Sequence, residues 1–568
     1  MVSKVPKIKA STPNRVRNAF DLSQRHLFTA HAGMLLPVLS LDLLPHDHIE
    51  INASDFMRTM PINSSAFLSL RSVYEFFFVP YHQLYPQFDQ FITGMSDYHS
   101  KVVNDIYGGV PPTMLPSVNL GAADGLFAKI DAATGTDIFG YPVKAFKQRL
   151  CDLFGFGRSC RSDGTLYTNI GSKVNSITSG ANTVNLFRPA AYQKIYQDYY
   201  RNTTYETFDV KTFSLDPYSG LVSATTVSDN FFIPRYRNAQ QDYLSNVRPS
   251  ALFSMPTGLS TNPMLNLGTR NGQAPLVDSL FATGNSVGLD IKGNHDSFSN
   301  TSLYDTQSVN VSSLRSAFAV DKLLRVTMQA GKTFQDQMRA HYGVEIPESR
   351  DGKVNYLGGF DSNVQLSDVV QTSGTTSSTD PLTAGYLGKI NVKGTASGHG
   401  KIVFDAPEHG VLMCIYSLVP MAAYDSTRLD PMVIKTGRFD FFTPEFENLG
   451  LQPLVAKTVT GFADSYAAGN QVIGWQPRYS EYKTALDINH GQFGFSDTLS
   501  YYTTSRIRQA TYFPGSIGIA HFKVNPSWLD SVFAVSYNGY ETNDCMYGGV
   551  NFNIVKVSDM SESGQPKI

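Results

Sequence analysis

The stretch Pro45-His46-Asp47-His48-Ile49-Glu50-Ile51-Asn52 puts two imidazoles and a carboxylate at alternate positions. In a β-strand, alternate side chains share a face, so His46, His48 and Glu50 would line up about 7 Å apart in successive steps. Such a set is chemically able to ligate a divalent metal. Ile49 and Ile51 fall on the opposite register and would point into a core.

Metal sites of the cupin type follow the spacing G-x5-H-x-H-x3,4-E-x6-G. Counted from His48, the acid would fall at Asn52 or Ala53, so Glu50 comes too early, and Ser40 stands where the glycine belongs. No second histidine motif follows. The spacing therefore favours a Pro-His-Asp turn leading into an amphipathic strand. A β-sandwich or cupin-like metalloenzyme using His46, His48 and Glu50 is kept as the alternative.

Other chemical signals fail in similar ways. Ala330-Gly331-Lys332-Thr333 ends like a phosphate-binding loop, but Val326 occupies the place of its first glycine, and the preceding segment reads as helix. No G-x-S-x-G surrounds a serine, and neither Cys151 nor Cys160 has a histidine nearby in sequence. The expectation is a protein with no catalytic residue, no metal and no cofactor. The four cysteines, Cys151, Cys160, Cys414 and Cys545, lack any C-x-x-C pairing and read as buried free thiols.

The elements that would position these residues are mainly strands near the two ends. His48–Asn52 alternates, and 67–80 is aromatic and β-branched up to Pro80. Residues 401–404, 411–419, 516–524, 531–537 and 550–557 also read as strands. If early and late strands share one core, they pair non-locally and antiparallel, as in a sandwich or jelly roll. Helices are expected between them over 81–95, 142–155, 188–202, 312–331 and 333–342. In 142–155 a leading Pro142 and a closing Gly155 mark the ends. Residues 255–311 and 371–400 are rich in Gly, Asn, Ser and Thr and read as long surface loops.

Composition narrows the class. The chain has 568 residues, 42% hydrophobic and only 17% charged, with 37 Phe and 30 Tyr but 2 Trp. This suits a β-rich protein that hides surface against other subunits, where charge is depleted and aromatics enriched. The formal net charge of −2 gives no global field toward nucleic acid or membrane. No apolar run is long enough to predict a membrane span; 411–424 is short and contains Pro420. The basic segment 1–25 is the exception, with Lys4, Lys7, Lys9, Arg15, Arg17 and Arg25 against one acid, Asp21. These cations suit either phosphate neutralisation or a strap over a neighbouring subunit.

Several blocks resemble, in order, the major capsid proteins of Microviridae, particularly the gokushovirus-like lineages. They include Phe20-Asp21-Leu22-Ser23, Gly33-Met34-Leu35-Leu36-Pro37, Leu44-Pro45-His46-Asp47 and Phe76-Phe77-Phe78-Val79-Pro80. Further along come 234–247, 314–344, 356–360, 368–373, 408–420 and 475–483. At the turn the family has Leu-Pro-Gly-Asp, so His46 replaces a glycine, and no histidine is part of the family pattern there. The resemblance implies a mainly β chain built on an antiparallel eight-stranded jelly roll of viral capsid type, with long loop and helical insertions. It implies a basic arm over 1–40 and a capsid domain over 41–568. Within that domain, insertions are expected at about 81–250, 255–311, 312–345 and 371–400. By the same resemblance, copies of the chain form a small T=1 icosahedral shell around circular single-stranded DNA. A DNA pilot protein and an internal or scaffolding protein are the implied partners. A host receptor is expected to meet residues 255–311, with no membrane involved, and assembly is expected in the bacterial cytoplasm.

Overall fold

The computed structural model describes residues 17–94, 112–158, 182–249, 311–345, 352–370, 390–459, 472–506, 519–533 and 544–562, with short gaps, and the strand pairs within 169–174 and 277–291. It holds two compact units: residues 1–251 with 346–568, and residues 252–345.

Ten strands of the larger unit form its two main sheets. They are β1 (Asn18–Asp21), β2 (Gln24–Ala30), β3 (Leu36–Leu43), β4 (His48–Thr59), β5 (Leu70–Pro80), β6 (Asn355–Asn363), β7 (Gln365–Val370), β8 (Ile390–Asp405), β9 (Gly410–Pro420) and β10 (Met546–Ser558). One sheet runs β1 and β2 on β10, then β4, β8 and β7. The other runs β6, β5, β9, β3. Every one of these pairings is antiparallel. The chain passes from one sheet to the other between β2 and β3, β3 and β4, β4 and β5, β8 and β9, and β9 and β10. Between β6 and β7 it crosses at the buried Val364, whose amide donates to Leu70 O at 2.9 Å. This winding is a jelly roll, as the sequence leads one to expect.

The sheets meet through aromatic contacts. Phe76 lies edge-on to Phe552 at 6.3 Å, Phe28 to Tyr416 at 4.9 Å, and Phe78 tilts on Phe404 at 4.9 Å. In β4, Ile49, Ile51, Ala53 and Met57 point inward and are buried, while Asn52, Ser54 and Phe56 point out and are exposed. The expected alternation holds.

β5 and β9 do not alternate, because both of their faces are covered. Helix α1 (Tyr81–Leu84), α2 (Phe88–Thr93), α3 (Leu126–Asp131), α4 (Val143–Leu153) and α5 (Phe187–Ile195) fill the span between strands, with α4 against β3 and α5 against β5 and β9. Phe77 faces this layer, at 5.0 Å from Tyr199 and 5.9 Å from Tyr200. Each large apolar side chain buried this way contributes roughly 1.5–3 kcal/mol relative to exposure.

Four readings of the sequence change. The helix over 81–95 is two short ones, because Pro86 forces Tyr85 out of helical backbone (φ −137°). Residues 390–400 belong to β8 rather than to a loop. A Cβ at Gly400 would meet the Phe360 ring and one at Gly398 would press on Ser362, so these glycines mark close packing. Residues 519–522 form a 3-10 turn instead of a strand. Four consecutive side chains there, His521 to Val524, are buried, which an alternating strand on a two-layer core does not permit. Within 255–311, Val277–Thr283 pairs antiparallel with Ser286–Ile291. Of 531–537, only Val532 and Phe533 are described.

In the smaller unit, α6 (Val311–Ala330) and α7 (Phe334–Tyr342) pack together. Gln337 Nε2 donates to Thr327 O at 2.8 Å, and His341 Nε2 lies 3.0 Å from Thr327 Oγ1. Cys151, Cys414 and Cys545 are buried and form no disulfide, and Cys160 lies outside the described residues. Among the described residues, no helix is long and apolar enough to cross a membrane.

Candidate functional site

His46, His48 and Glu50 do not converge. Strand β4 begins only at His48, and His46 sits in the preceding turn with φ +72°. The turn closes through Asp47 N to Leu44 O (3.2 Å), and the Asp47 carboxylate accepts from Leu44 N (2.8 Å). Each polar group then has its own partner. His48 Nδ1 meets Asp405 at 2.7 Å, Glu50 pairs with Lys401 at 2.6 Å, and His46 lies 3.8 Å from Asp559. Among the described residues, no cluster of three His, Cys, Asp or Glu side chains is arranged to hold a metal. The metalloenzyme alternative finds no support here, because His46 belongs to a turn and does not share the strand face of His48 and Glu50.

Asp47 has a structural task. Its carboxylate reaches the buried Lys556 of β10 at 2.7 Å. Burial opposes the charged form, but hydrogen bonds from Lys556, Ser558 and Leu44 prevail and hold this carboxyl below its ordinary range. The turn is thereby anchored to the C-terminal strand.

Of the six arm cations, Lys4, Lys7, Lys9 and Arg15 lie outside the described residues. Arg17 is committed to this chain: its guanidinium donates to His46 O (2.6 Å) and lies 3.3 Å from Asp559. Arg25 stands exposed on β2, opposite Asn551 of β10, with no ion-pair partner among the described residues.

The open face of the first sheet contains what the sequence reading missed. Strand register sets out its rows. One row is Arg25, Asn551, Ser54, His399; the next is Leu27, Gly549, Phe56, Ser397; the third is Thr29, Tyr547, Arg58, Thr395. Phe56 is 48% exposed and Leu27 66%. Gly549 lies between them, and a Cβ there would collide with the His26 carbonyl and the Leu27 side chain, so only glycine lets Leu27 lie over β10 at this point. The Arg58 guanidinium lies 4.7 Å from the centre of that ring, within cation–π range. Like Arg25, Arg58 has no ion-pair partner among the described residues. Acids gather toward the other end, where Asp21 and Glu50 flank Val555 across β1, β10 and β4. The signal was readable: in His48–Thr59, Phe56 and Arg58 fall on the same register as Asn52 and Ser54, the polar one.

A cleft of about 480 Å³ opens where β5 meets the helical layer, lined by Arg71, Glu75, Phe77, Tyr199, Arg237 and Tyr356, among others. Its carboxylate, Glu75, is held by Arg237 at 2.6 Å and by the Tyr200 hydroxyl. That pairing ties β5 to the segments that carry Tyr200 and Arg237.

Jelly rolls commonly carry capsid subunits, lectins or cupin centres. With His46, His48 and Glu50 dispersed into separate pairs, this one lacks the cupin arrangement at that stretch. The model of the family described as "Capsid protein (F protein)" matches residues 7–148 and 163–566, nearly the whole chain. Two relatives agree. Capsid protein VP1 of Chlamydia phage 1 is 23% identical over 526 residues, covering 82% of each chain. Capsid protein VP1 of Bdellovibrio phage phiMH2K is 24% identical over 483 residues, covering 82% of this chain and 80% of that one. The chain belongs to this capsid protein family, that of the Microviridae major capsid proteins. Its role is structural: copies of it self-assemble into the shell of a virion.

Proposed function

We propose that the shell is a small T=1 icosahedron around circular single-stranded DNA, and that the open sheet face is turned to that genome. The observation that carries this reading is the exposed Phe56 ring with Arg58 above it, in rows that also hold Arg25, Asn551 and Tyr547. Single strands are bound by aromatic platforms combined with cations that follow the backbone, largely without regard to sequence. The arm residues Lys4, Lys7, Lys9 and Arg15 add phosphate contacts beside Arg25. Arg17, engaged by Asp559, acts as a strap rather than a phosphate ligand. Assembly in the host cytoplasm, a DNA pilot protein, an internal or scaffolding protein, and a receptor contact through 255–311 complete the proposal.

The test is binding of a single-stranded oligonucleotide at several salt concentrations. Phe56→Ala is expected to weaken binding by about 1–3 kcal/mol per stacked base. Arg25→Ala with Arg58→Ala is expected to flatten the salt dependence by about 0.7 in slope for each cation that meets a phosphate. Unchanged affinity and slope in both variants would reject this face as the DNA surface, while leaving the capsid role intact.

A further inference from the structure

The loop over 430–449 has a polar framework and apolar tips. Lys435 and Glu481, each with a 6% exposed side chain, pair at 2.6 Å, and Gln452 Nε2 donates to the second Glu481 oxygen at 2.6 Å. The Lys435 ammonium also sits 4.1 Å from the Tyr482 ring. Tyr479 holds φ +60°, a left-handed backbone that a bulky residue adopts only when its surroundings impose it. Those surroundings are identifiable. Its amide donates to Gln452 Oε1 (2.8 Å), its hydroxyl accepts from Thr443 N (3.3 Å), and its ring packs edge-on to Phe442 at 5.0 Å. Asp440 closes the loop by accepting from the amides of Thr436 (3.0 Å) and Gly437 (2.7 Å).

On this frame the chain displays Val433 at 74% exposure and Phe439 at 65%, with Phe441 and Phe442 also exposed. Bulky apolar side chains held outward by a fixed frame have the character of binding hot spots. Their ordering cost is met before any partner arrives, and covering them removes apolar area from water.

We propose that this loop is an assembly contact that docks onto a second copy of the chain within the shell. The inference rests on the self-assembly established for the family and adds the surface that does it. Local charge selects the occupant. The exposed charged side chains beside the phenylalanines include Arg438, Asp440, Glu445 and the Glu447–Lys483 pair at 3.5 Å, a rim of mixed sign with no excess of cations to draw a phosphate backbone. An aromatic centre with a charged rim is the anatomy of a contact between protein subunits.

Two experiments on assembling full-length chain decide it, with wild-type particles as the control for assembly itself. In the first, p-benzoylphenylalanine replaces Phe439, and particles are illuminated and run on a denaturing gel. A band of twice the chain mass is expected, with the joined peptide traced to 430–449. Capture of a different polypeptide or of DNA, or no adduct, would overturn the proposal. In the second, Phe439→Ser is combined with Phe441→Ser. Particle yield is expected to fall at least tenfold, with the thermal midpoint of the unassembled chain unchanged. Wild-type yield overturns the proposal. So does a lowered midpoint accompanying the lost yield, since the phenylalanines would then serve the fold.

Discussion

The two sheets of the jelly roll bury themselves differently. The sheet of β4, β8 and β10 has one face in the core and one open, and its strands alternate residue by residue. The sheet of β3, β5, β6 and β9 is covered by its partner on one side and, over β3, β5 and β9, by insertion helices on the other; every residue of β9 is buried. One sheet thus has positions free to take on a binding role, and the other is given over to stability. A phenylalanine in β4 and one in β5 look alike in sequence but face different environments.

The largest expected effect tests that contrast directly. Phe76 faces the first sheet and Phe77 faces the helices, and both are essentially buried. Alanine at either should cost about 3–5 kcal/mol in denaturant unfolding of the unassembled chain. Phe56→Ala on the open face should stay within about 0.5 kcal/mol. A cheap Phe77→Ala would show that the helical layer does not cover the second sheet in solution.

Asp47→Asn comes next. It breaks the buried pair with Lys556 and should cost about 3 kcal/mol. Because the folded-state pKa of Asp47 lies below its ordinary 3.8, its contribution is fully present above that value. It is lost as pH falls through the lower, folded value. Denaturation midpoints measured from pH 5 downward should therefore show a shallower acid loss in Asp47→Asn than in the wild type. An identical pH profile would mean that the pair does not hold the turn.

A further change, smaller than the loss at Asp47, is expected to be a gain. His46 adopts φ +72° without the freedom of a glycine; Arg17 bonds only its backbone carbonyl, and its imidazole has the single 3.8 Å contact with Asp559 as an ion pair among the described residues. His46→Gly should stabilise the chain by about 1 kcal/mol, read as a raised unfolding midpoint. Loss of stability would assign that exposed imidazole a structural role.

The same contrast explains what the sequence made legible. Alternation in His48–Asn52 announced the open sheet, and the runs ending at Pro80 and Pro420 announced strands of the covered one. Long-range signals were weaker. The glycines of β8 mimic a loop until Phe360 is seen lying against Gly400. Residues 519–524 alternate like a strand, yet His521 is drawn inward by Leu244 O and Lys523 by Glu206. The metal reading failed at one residue: Pro45-His46 forms the turn, so the two histidines never share a strand. The site on the open face was half legible. Phe56 and Arg58 stood on the polar register, but Leu27 comes from a separate strand, and Tyr547 and Gly549 come from one hundreds of residues away.

That separation has a consequence for synthesis. β10, at Met546–Ser558, is inserted between β4 and the pair β1 and β2, which are among the earliest segments made. Until the ribosome has released nearly the whole chain, β4 presents a bare, aromatic-bearing edge, and β1 and β2 have no strand to pair with. Nascent chains are therefore exposed to edge-to-edge aggregation for most of their elongation, and the closing step has very high contact order. A chaperone or a low growth temperature should raise the yield of soluble chain more than any change to the finished fold.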